Sequence, residues 1–119
     1  MNPPLAIPEI SVADLGAYLQ QADMRADPLQ LVDVREPSEL TLAALPGFMS
    51  LPLSQYESWA TDIAVRLDPT METWVLCHHG VRSEQMCYWL QQQGFTHVKN
   101  IAGGIDAYAR RVDPQIPLY

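Results

Sequence analysis

Lysine and basic charge are scarce in this sequence, and the shortage narrows the range of functions. Among 119 residues there are 14 acidic and 7 basic side chains, the formal net charge is −7 at pH 7, and Lys99 is the only lysine. Nucleic-acid binding depends on clustered Lys and Arg facing phosphates, so this composition argues against a nucleic-acid partner. A small anion could still bind where the local charge is positive.

Long apolar stretches are also missing. No apolar run approaches the ~20 residues that a membrane helix needs. The N-terminal MNPPLAIPEI has neither the basic start nor the apolar centre of a secretory signal. We therefore expect no membrane association and a cytoplasmic location. The length favours one domain over residues 1–119, with a core at about 8–112 and a C-terminal tail at 113–119.

Cysteine is rare too, with only Cys77 and Cys87 present, which is too few for a disulfide framework. A bridge between them is disfavoured because Cys87 falls inside a predicted helix. We expect Cys87 to be a core residue and Cys77 to be an exposed, reactive thiol. One reactive and one buried thiol are typical of a reducing compartment.

Apolar periodicity predicts strands that alternate with helices. The predicted strands are 9–12, 29–34, 47–53, 73–77 and 97–101, and the predicted helices are 14–19 (capped by Ser11), 36–45, 54–67, 82–94 and 104–112. This order indicates an α/β domain with a central parallel five-stranded sheet and helices on both faces. Ligands bind beyond the carboxyl ends of the strands in such sheets, and Cys77 stands at one of these ends.

The segment CHHGVRS, residues 77–83, places a nucleophile between a strand and a helix. The thiolate is the reactive form of cysteine, and the positive N-terminal end of the following helix favours it. The N–H groups of residues 78–82 can converge on an anion, Gly80 gives the backbone freedom to turn, and Arg82 adds a permanent charge. We interpret Cys77 as a reactive thiol; the alternative is the last core residue of its strand.

The adjacent His78 and His79 raise the alternative of a metal site. Structural zinc sites usually combine two pairs of ligands, each pair separated by about two to four residues. Here Cys77, His78 and His79 are contiguous, and His97 is alone. We therefore expect no metal, and we place His97 at the surface, at the start of a strand. Protonation of either loop histidine would add positive charge near Cys77.

The length of the loop separates two chemistries of cysteine. Cys77 to Arg82 reads C-x4-R, one residue shorter than the C-x5-R loop of cysteine phosphatases. A shorter cradle suits one sulfur atom bound to cysteine better than it suits a tetrahedral phosphate. Phosphatase or arsenate reductase activity is therefore disfavoured.

Four segments resemble motifs of the rhodanese family of sulfurtransferases, in the family's order and spacing. They are LVDVREPSE (31–39), LPGFMSLPL (45–53), CHHGVRS (77–83) and GFTHVKNIAGGIDAY (94–108). They resemble, in turn, D-[VT]-R-x-x-x-E, I-P-G-A-x-x-[IL]-P, C-x-x-G-x-R-S and G-[FY]-x-x-V-x-x-[LV]-x-G-G-[IMF]-x-x-W. The sequence departs from the family at Ala43, Ala44 and Tyr108, where Gly, His and Trp are usual, and none of these lies in the cysteine loop.

The resemblance implies a single rhodanese-like domain that transfers sulfur in two steps. Cys77 takes a sulfane sulfur from a small anionic donor such as thiosulfate and becomes a persulfide. A thiophilic acceptor such as cyanide, a cellular thiol or a sulfur-accepting protein then removes the sulfur. The residues implied to bind the persulfide through the loop are His78, His79, Gly80, Val81, Arg82 and Ser83. Arg82 would hold the donor or the loop; we expect no cofactor besides the covalent persulfide, and a monomer.

Two charged residues upstream of the loop have open roles. Asp33 ends a strand predicted to run parallel to the strand of Cys77, so it either orients the loop or holds the sheet edge in an ion pair. Arg35 is predicted to pair with Glu39 across a helix start, again as loop support or as a structural bracket. Gly103-Gly104 is interpreted as a tight strand-to-helix turn.

A second class of function stays open at the level of sequence. A rhodanese-like domain can be a binding module that docks a partner, with Cys77 incidental or redox-sensing. Persulfide formation on Cys77 would separate the two readings, because only the enzyme needs it.

Overall fold

One parallel sheet organises the chain. The computed structural model describes residues 6–21 and 29–119, so two parts of the predicted 1–119 domain, residues 1–5 and 22–28, lie outside the described residues. The strands are Glu9–Ile10 (β1), Gln30–Asp33 (β2), Met49–Ser50 (β3), Thr73–Leu76 (β4) and Val98–Ile101 (β5). The helices are Val12–Gln20 (α1), Pro37–Leu40 (α2), Tyr56–Trp59 (α3), Ile63–Arg66 (α4), Val81–Gln92 (α5) and Gly104–Arg111 (α6).

The strand order is β1-β5-β4-β2-β3, and every neighbouring pair is parallel. This confirms the predicted α/β fold with a central parallel five-stranded sheet. β4 lies in the middle, between β5 and β2, and Leu76 at its end is in register with Asp33 at the end of β2. The carboxyl ends of β2 and β4 therefore open at the same edge of the sheet, where the cysteine loop begins.

Side chains of the strands alternate between two apolar clusters, one on each face of the sheet. Val32 and Val75 belong to the cluster built with α3, α4 and α5. Their chain neighbours Leu31 and Leu76 belong to the cluster built with α1 and α6. Helices thus cover both faces, as predicted, and Cys77 belongs to the face covered by α5.

The prediction of one continuous helix at 54–67 is wrong. It is divided into α3 and α4, each preceded by a 3₁₀ turn, at Leu53–Gln55 and Ala60–Asp62. Trp59 has φ −125° and ψ −14°, outside the helical region, and its indole N–H donates to the carbonyl of Pro52 at 2.9 Å. Burial of the Trp59 ring, which is 2% exposed, decides the path of this segment more than helix propensity does.

Two further elements are shorter than predicted. The helix expected at 36–45 is reduced to α2, after which the chain turns so that the carbonyl of Ala43 accepts a hydrogen bond from Arg35 at 2.9 Å. The strand expected at 47–53 is reduced to β3. Gly47 before it has φ +84°, which is not extended backbone, and Pro52 after it has no N–H to give to a neighbouring strand.

The beginning of α1 follows the prediction. Ser11 caps the helix, and its side chain accepts the backbone N–H of Asp14 at 3.0 Å. The first strand therefore ends at Ile10 rather than at residue 12, because the extended Ser11 already belongs to the helix cap.

Candidate active site

The cysteine loop links the central strand to the longest helix of the described chain. Cys77 follows β4 directly, and α5 begins four residues later at Val81. Gly80 caps α5 with φ +105°, a conformation that L side chains rarely adopt, and a Cβ there would lie 3.3 Å from the backbone nitrogen of Gly103. The tight turn therefore needs glycine at this position.

The sulfur of Cys77 lies inside the loop. Its Sγ accepts the backbone N–H of Gly80 at 3.0 Å and the hydroxyl of Ser83 at 3.2 Å. The residue is only 1% exposed, so the expectation of an exposed thiol is wrong. These two donors draw the sulfur inward, beneath the loop and toward the start of α5. Gly80 caps α5 and Ser83 lies in its first turn, so the sulfur lies near the partially positive end of that helix.

Ser83 is held in turn by Asn100, a residue that the sequence analysis did not select. Oγ of Ser83 lies 2.5 Å from Oδ1 of Asn100, whose Nδ2 donates to the carbonyl of Gly80 at 2.9 Å. Asn100 is 2% exposed and sits in β5, next to β4. The sequence feature that could have pointed to Asn100 is a polar side chain within an apolar strand, because a buried polar group needs a hydrogen-bond partner.

Cys87 occupies the core, as predicted. It is fully buried in α5, and burial is the main reason that its pKa rises to about 12, with the charges of Glu84 and Cys77 adding to the effect. The thiol of Cys87 therefore stays protonated at neutral pH. Of the two cysteines, Cys77 is the one whose sulfur accepts hydrogen bonds from Gly80 and Ser83.

Arg82 binds a carboxylate of the chain itself. Nη1 and Nη2 of Arg82 lie 2.6 Å and 3.0 Å from the two carboxylate oxygens of Glu39, a bidentate pair. This pairing is the largest cause lowering the pKa of Glu39 to about 2, and it also raises the pKa of Arg82. The prediction that Glu39 pairs with Arg35 is therefore wrong, because Glu39 faces the loop.

Arg35 instead pairs with Asp33. Nη2 of Arg35 lies 2.8 Å from Oδ2 of Asp33, and the two side chains are 0% and 3% exposed. Nη1 donates to the carbonyl of Ala43 at 2.9 Å and to the hydroxyl of Tyr119 at 3.0 Å. Within the described residues, the side chains of Asp33 and Arg35 form their hydrogen bonds with groups outside residues 77–83. The geometry therefore favours the structural bracket over direct orientation of the loop.

Three aromatic rings pack together at the loop. The rings of His78 and His79 have centroids 3.9 Å apart, and the ring of Tyr119 stacks on His78 at 3.9 Å and 4°. The Tyr119 hydroxyl donates to Glu39 at 2.7 Å. The C-terminal segment predicted as a tail thus ends against the loop. Burial, and then repulsion by His79, lower the pKa of His78, so this ring is neutral at pH 7.

The start of α6 packs against the loop from the other side. The N–H groups of Ile105 and Asp106 donate to the carbonyls of Cys77 and His78, at 3.0 Å and 3.1 Å. The predicted tight turn at Gly103-Gly104 is confirmed, with φ of +77° and +63°. Gly104 has a further role, because a Cβ there would collide with both loop carbonyls.

One group of potential metal ligands forms near the loop. His78, His79 and Asp106 each offer one ligand atom, and these atoms lie within 4.8 Å of one another. Sequence spacing missed the group because Asp106 comes from α6. Asp106 also accepts a hydrogen bond from Arg110 at 2.9 Å, and the two imidazole rings are tilted by 35° to each other. The expectation that no metal binds stays a prediction.

His97 lies away from this group. It is exposed and stands directly before β5, as predicted.

Comparisons with known proteins identify relatives of the chain. A model of the rhodanese-like domain matches residues 16–111. The Arabidopsis thaliana rhodanese-like/PpiC domain-containing protein 12, chloroplastic, is 49% identical over 113 residues, which are 95% of this chain and 38% of that protein. A sulfurtransferase of Allochromatium vinosum is 34% identical over 92 residues, 77% of this chain and 82% of that one. A crystal structure of a rhodanese-related protein from Thermoplasma volcanium matches with a TM-score of 0.71 and 25% identity, covering 94% and 99% of the two chains.

The comparisons leave the cellular location open. The Arabidopsis relative is named chloroplastic, so the cytoplasmic location stays a prediction. Within the described residues, no helix combines the length and apolar character that crossing a membrane requires. What the comparisons do establish is kinship: the family model covers most of the chain and a relative matches nearly all of it, so the chain belongs to the rhodanese-like domain family.

Proposed function

We propose that this protein is a sulfurtransferase in which Cys77 carries a sulfane sulfur as a persulfide. The observation that supports this most is the setting of Sγ, which accepts two hydrogen bonds at the start of a 12-residue helix. Hydrogen-bond donors and the positive end of a helix stabilise a sulfur that carries negative charge, as the outer sulfur of a persulfide anion does. The name of the Allochromatium relative, a sulfurtransferase, is consistent with this role.

Thiosulfate and cyanide serve as a proposed donor and acceptor pair for the two half-reactions. The Cys77 thiolate bonds to the outer sulfur of thiosulfate, and the S–S bond of the donor breaks with its electron pair leaving on sulfite. Cyanide then bonds to the outer sulfur of the persulfide, and thiocyanate leaves as the Cys77 thiolate is restored. A cellular thiol or a sulfur-accepting protein would replace cyanide in the cell. Charge and atoms balance in both steps without a cofactor or a metal.

The loop is proposed to hold the persulfide anion between the steps. The first backbone N–H groups of a helix have no acceptor within that helix, and α5 begins directly after Gly80 of the loop. Ser83, held by Asn100, supplies a side-chain donor to the sulfur attached to the protein. Such fixed donors stabilise charge without reorganisation during the reaction.

Intact mass spectrometry tests the proposal. Protein incubated with thiosulfate should gain the mass of one sulfur atom, and cyanide should remove it with release of thiocyanate. Cys77→Ser should neither gain sulfur nor release thiocyanate, whereas Cys87→Ala, the matched control in the core, should do both. Full transfer activity in Cys77→Ser would contradict the mechanism. A binding module with an incidental cysteine would gain no sulfur from any donor.

A further inference from the structure

We infer that the side chains of His78, His79 and Asp106 form a binding site for a divalent transition-metal ion such as Zn²⁺. This site goes beyond the proposed function, because the proposed sulfur transfer gives these three side chains no role. It also departs from the prediction made from sequence spacing, which could not include a ligand from α6. Three features support the site: the closeness of the ligand atoms, a buried ring nitrogen without a partner, and the chemistry of the side chains.

The three ligand atoms are already close together. Each side chain offers one nitrogen or oxygen atom, and these atoms lie within 4.8 Å of one another. Tetrahedral zinc binds nitrogen and oxygen at about 2.0–2.1 Å, which places the ligand atoms roughly 3.3 Å apart. His79 is exposed, so its ring has room to turn toward an ion. Rotation of side chains can therefore complete the site without movement of the backbone.

The backbone holds the two parts of the site together. The N–H of Asp106 donates to the carbonyl of His78 at 3.1 Å, and the N–H of Ile105 donates to the carbonyl of Cys77 at 3.0 Å. Gly104 permits this close approach, because a Cβ there would collide with both carbonyls. The carboxylate of Asp106 is thus attached at a fixed point beside the histidines, so little order must be gained when an ion binds.

One ring nitrogen of His78 is buried without a partner. Among the described residues, Nε2 of His78 makes no hydrogen bond. The ring itself is held in place, since the ring of Tyr119 stacks on it at 3.9 Å and 4°. Buried polar atoms in folded proteins nearly always have a partner. A metal ion bound at this nitrogen would supply the missing one.

The carboxylate of Asp106 is oriented and keeps one oxygen available. Nε of Arg110 donates to Oδ2 of Asp106 at 2.9 Å, whereas Oδ1 makes no hydrogen bond within the described chain. Hydrogen bonds of this kind orient the carboxylates that bind metals, and such outer partners are a regular part of metal sites. Arg110 can therefore stay on Oδ2 while Oδ1 binds the ion.

The chemistry of the three side chains selects the class of ion. Two imidazoles and one carboxylate suit Zn²⁺ and similar transition metals, whereas Mg²⁺ and Ca²⁺ prefer oxygen ligands. Cys77 is not part of the set, because its sulfur accepts hydrogen bonds from Gly80 and Ser83 inside the loop. Three protein ligands leave a fourth position for water or another small ligand. The net charge of −7 favours the approach of a cation.

Calorimetric titration of the tag-free protein at neutral pH tests the site. Zn²⁺ should bind as one ion per chain with a dissociation constant in the micromolar range, and millimolar Mg²⁺ should neither bind nor compete. Co²⁺ should give the visible absorption of a tetrahedral ion without the near-ultraviolet band that a Co–S bond produces. His79→Ala and Asp106→Asn should each weaken Zn²⁺ binding about tenfold or more.

Two variants elsewhere in the chain are matched controls. His97→Ala removes an exposed histidine outside the loop, and Asp62→Asn removes an aspartate that pairs with an arginine four residues later, as Asp106 does. Both should bind Zn²⁺ like wild type. Absence of binding, wild-type affinity in either His79→Ala or Asp106→Asn, weakened binding in either control, or a Co–S band that Cys77→Ser removes would overturn the inference. None of these measurements requires sulfur transfer, so the proposed function would stand in each case.

Discussion

At the scale of single residues, the hydroxyl of Ser83 has one hydrogen to donate and two neighbouring groups that can accept it. It lies 3.2 Å from the sulfur of Cys77 and 2.5 Å from Oδ1 of Asn100. The amide of Asn100 cannot rotate freely, because its nitrogen donates to the carbonyl of Gly80. Asn100 is therefore a positioning residue that sets where Ser83 points, and Ser83 is the side chain that contacts the sulfur.

Removing this donor should slow the loading of sulfur. We expect Ser83→Ala to reduce the rate constant about tenfold and to move its pH profile to higher pH, because the anionic sulfur loses one of its two donors. Asn100→Ala should lower the rate by a smaller factor, because Ser83 loses the neighbour that fixes its side chain but keeps its hydroxyl. The measurement is the loading rate against pH, with Ser58→Ala, an exposed serine, as the control. A lower rate with an unchanged pH profile would assign Ser83 a structural role only.

Glu39 should make stability depend on pH in the acid range. Its pKa is about 2 in the folded protein, against an ordinary value near 4.5. The stabilisation by this carboxylate is therefore complete above the unfolded pKa and is lost as the pH falls toward the folded pKa. Urea unfolding at about pH 6 and about pH 2.5 should show that wild type loses on the order of 1–3 kcal/mol more than Glu39→Gln does. Equal losses in both proteins would contradict the assignment.

The residues that sequence predicted and those that it missed differ in a physical way. Cys77, Gly80 and Arg82 stand together in one loop, so local spacing was enough to select them. Asn100 and Tyr119 reach the loop only through the folded chain, from β5 and from the C-terminal segment. Side-chain partners follow tertiary packing, which is why Arg35 was assigned to the wrong carboxylate.

At the scale of elements, the buried strands were the easiest to predict. β2 and β4 are apolar, β-branched runs covered on both faces. Their predicted limits differ from the observed limits by one residue at each end of β2 and by one residue at the end of β4. The segment 54–67 carries a helical period, yet the burial of Trp59 breaks it into four short turns. Periodicity reports which residues are buried but not whether the chain between them stays regular.

The approach of α6 to the loop gives a prediction about two glycines. Gly104→Ala should lower the free energy of unfolding by about 2 kcal/mol or more and should abolish loading, because the new methyl group meets the carbonyls of Cys77 and His78. Gly94→Ala is the matched control: its φ is +96° but no atom lies within 4 Å of a Cβ there. It should cost only about 1 kcal/mol of backbone strain and leave loading intact. Urea unfolding and intact mass measure the two effects.

At the scale of the whole molecule, Arg35 joins parts of the chain that are distant in sequence. It contacts Asp33 at the end of β2, Ala43 after α2, and Tyr119 in the C-terminal segment. A fully buried guanidinium is tolerated only when its charge and its donors are all matched. The overall sheet could be predicted from the alternation of strands and helices. The contacts of Arg35 with distant segments could not, because nothing in the local sequence pattern links residue 35 to residue 119.

Loss of these Arg35 contacts should therefore destabilise the entire fold. We expect Arg35→Ala to cost about 3–5 kcal/mol, because the carboxylate of Asp33 would be left buried without its partner. The double variant Asp33→Asn with Arg35→Met should recover part of that loss. Urea unfolding followed by tryptophan fluorescence measures both. A cost below about 1 kcal/mol in Arg35→Ala would mean that water replaces the guanidinium readily.

The state of Cys87 has a consequence for the lifetime of the sulfurated protein. Many redox proteins discharge a modified cysteine with a second thiolate of the same chain. Here the only other cysteine is fully buried and, with a pKa of about 12, stays protonated. Sulfur loaded on Cys77 as proposed therefore has no second thiolate to leave through within residues 1–119, so the loaded form of this domain should persist until an acceptor arrives, and the domain would store sulfur as well as transfer it.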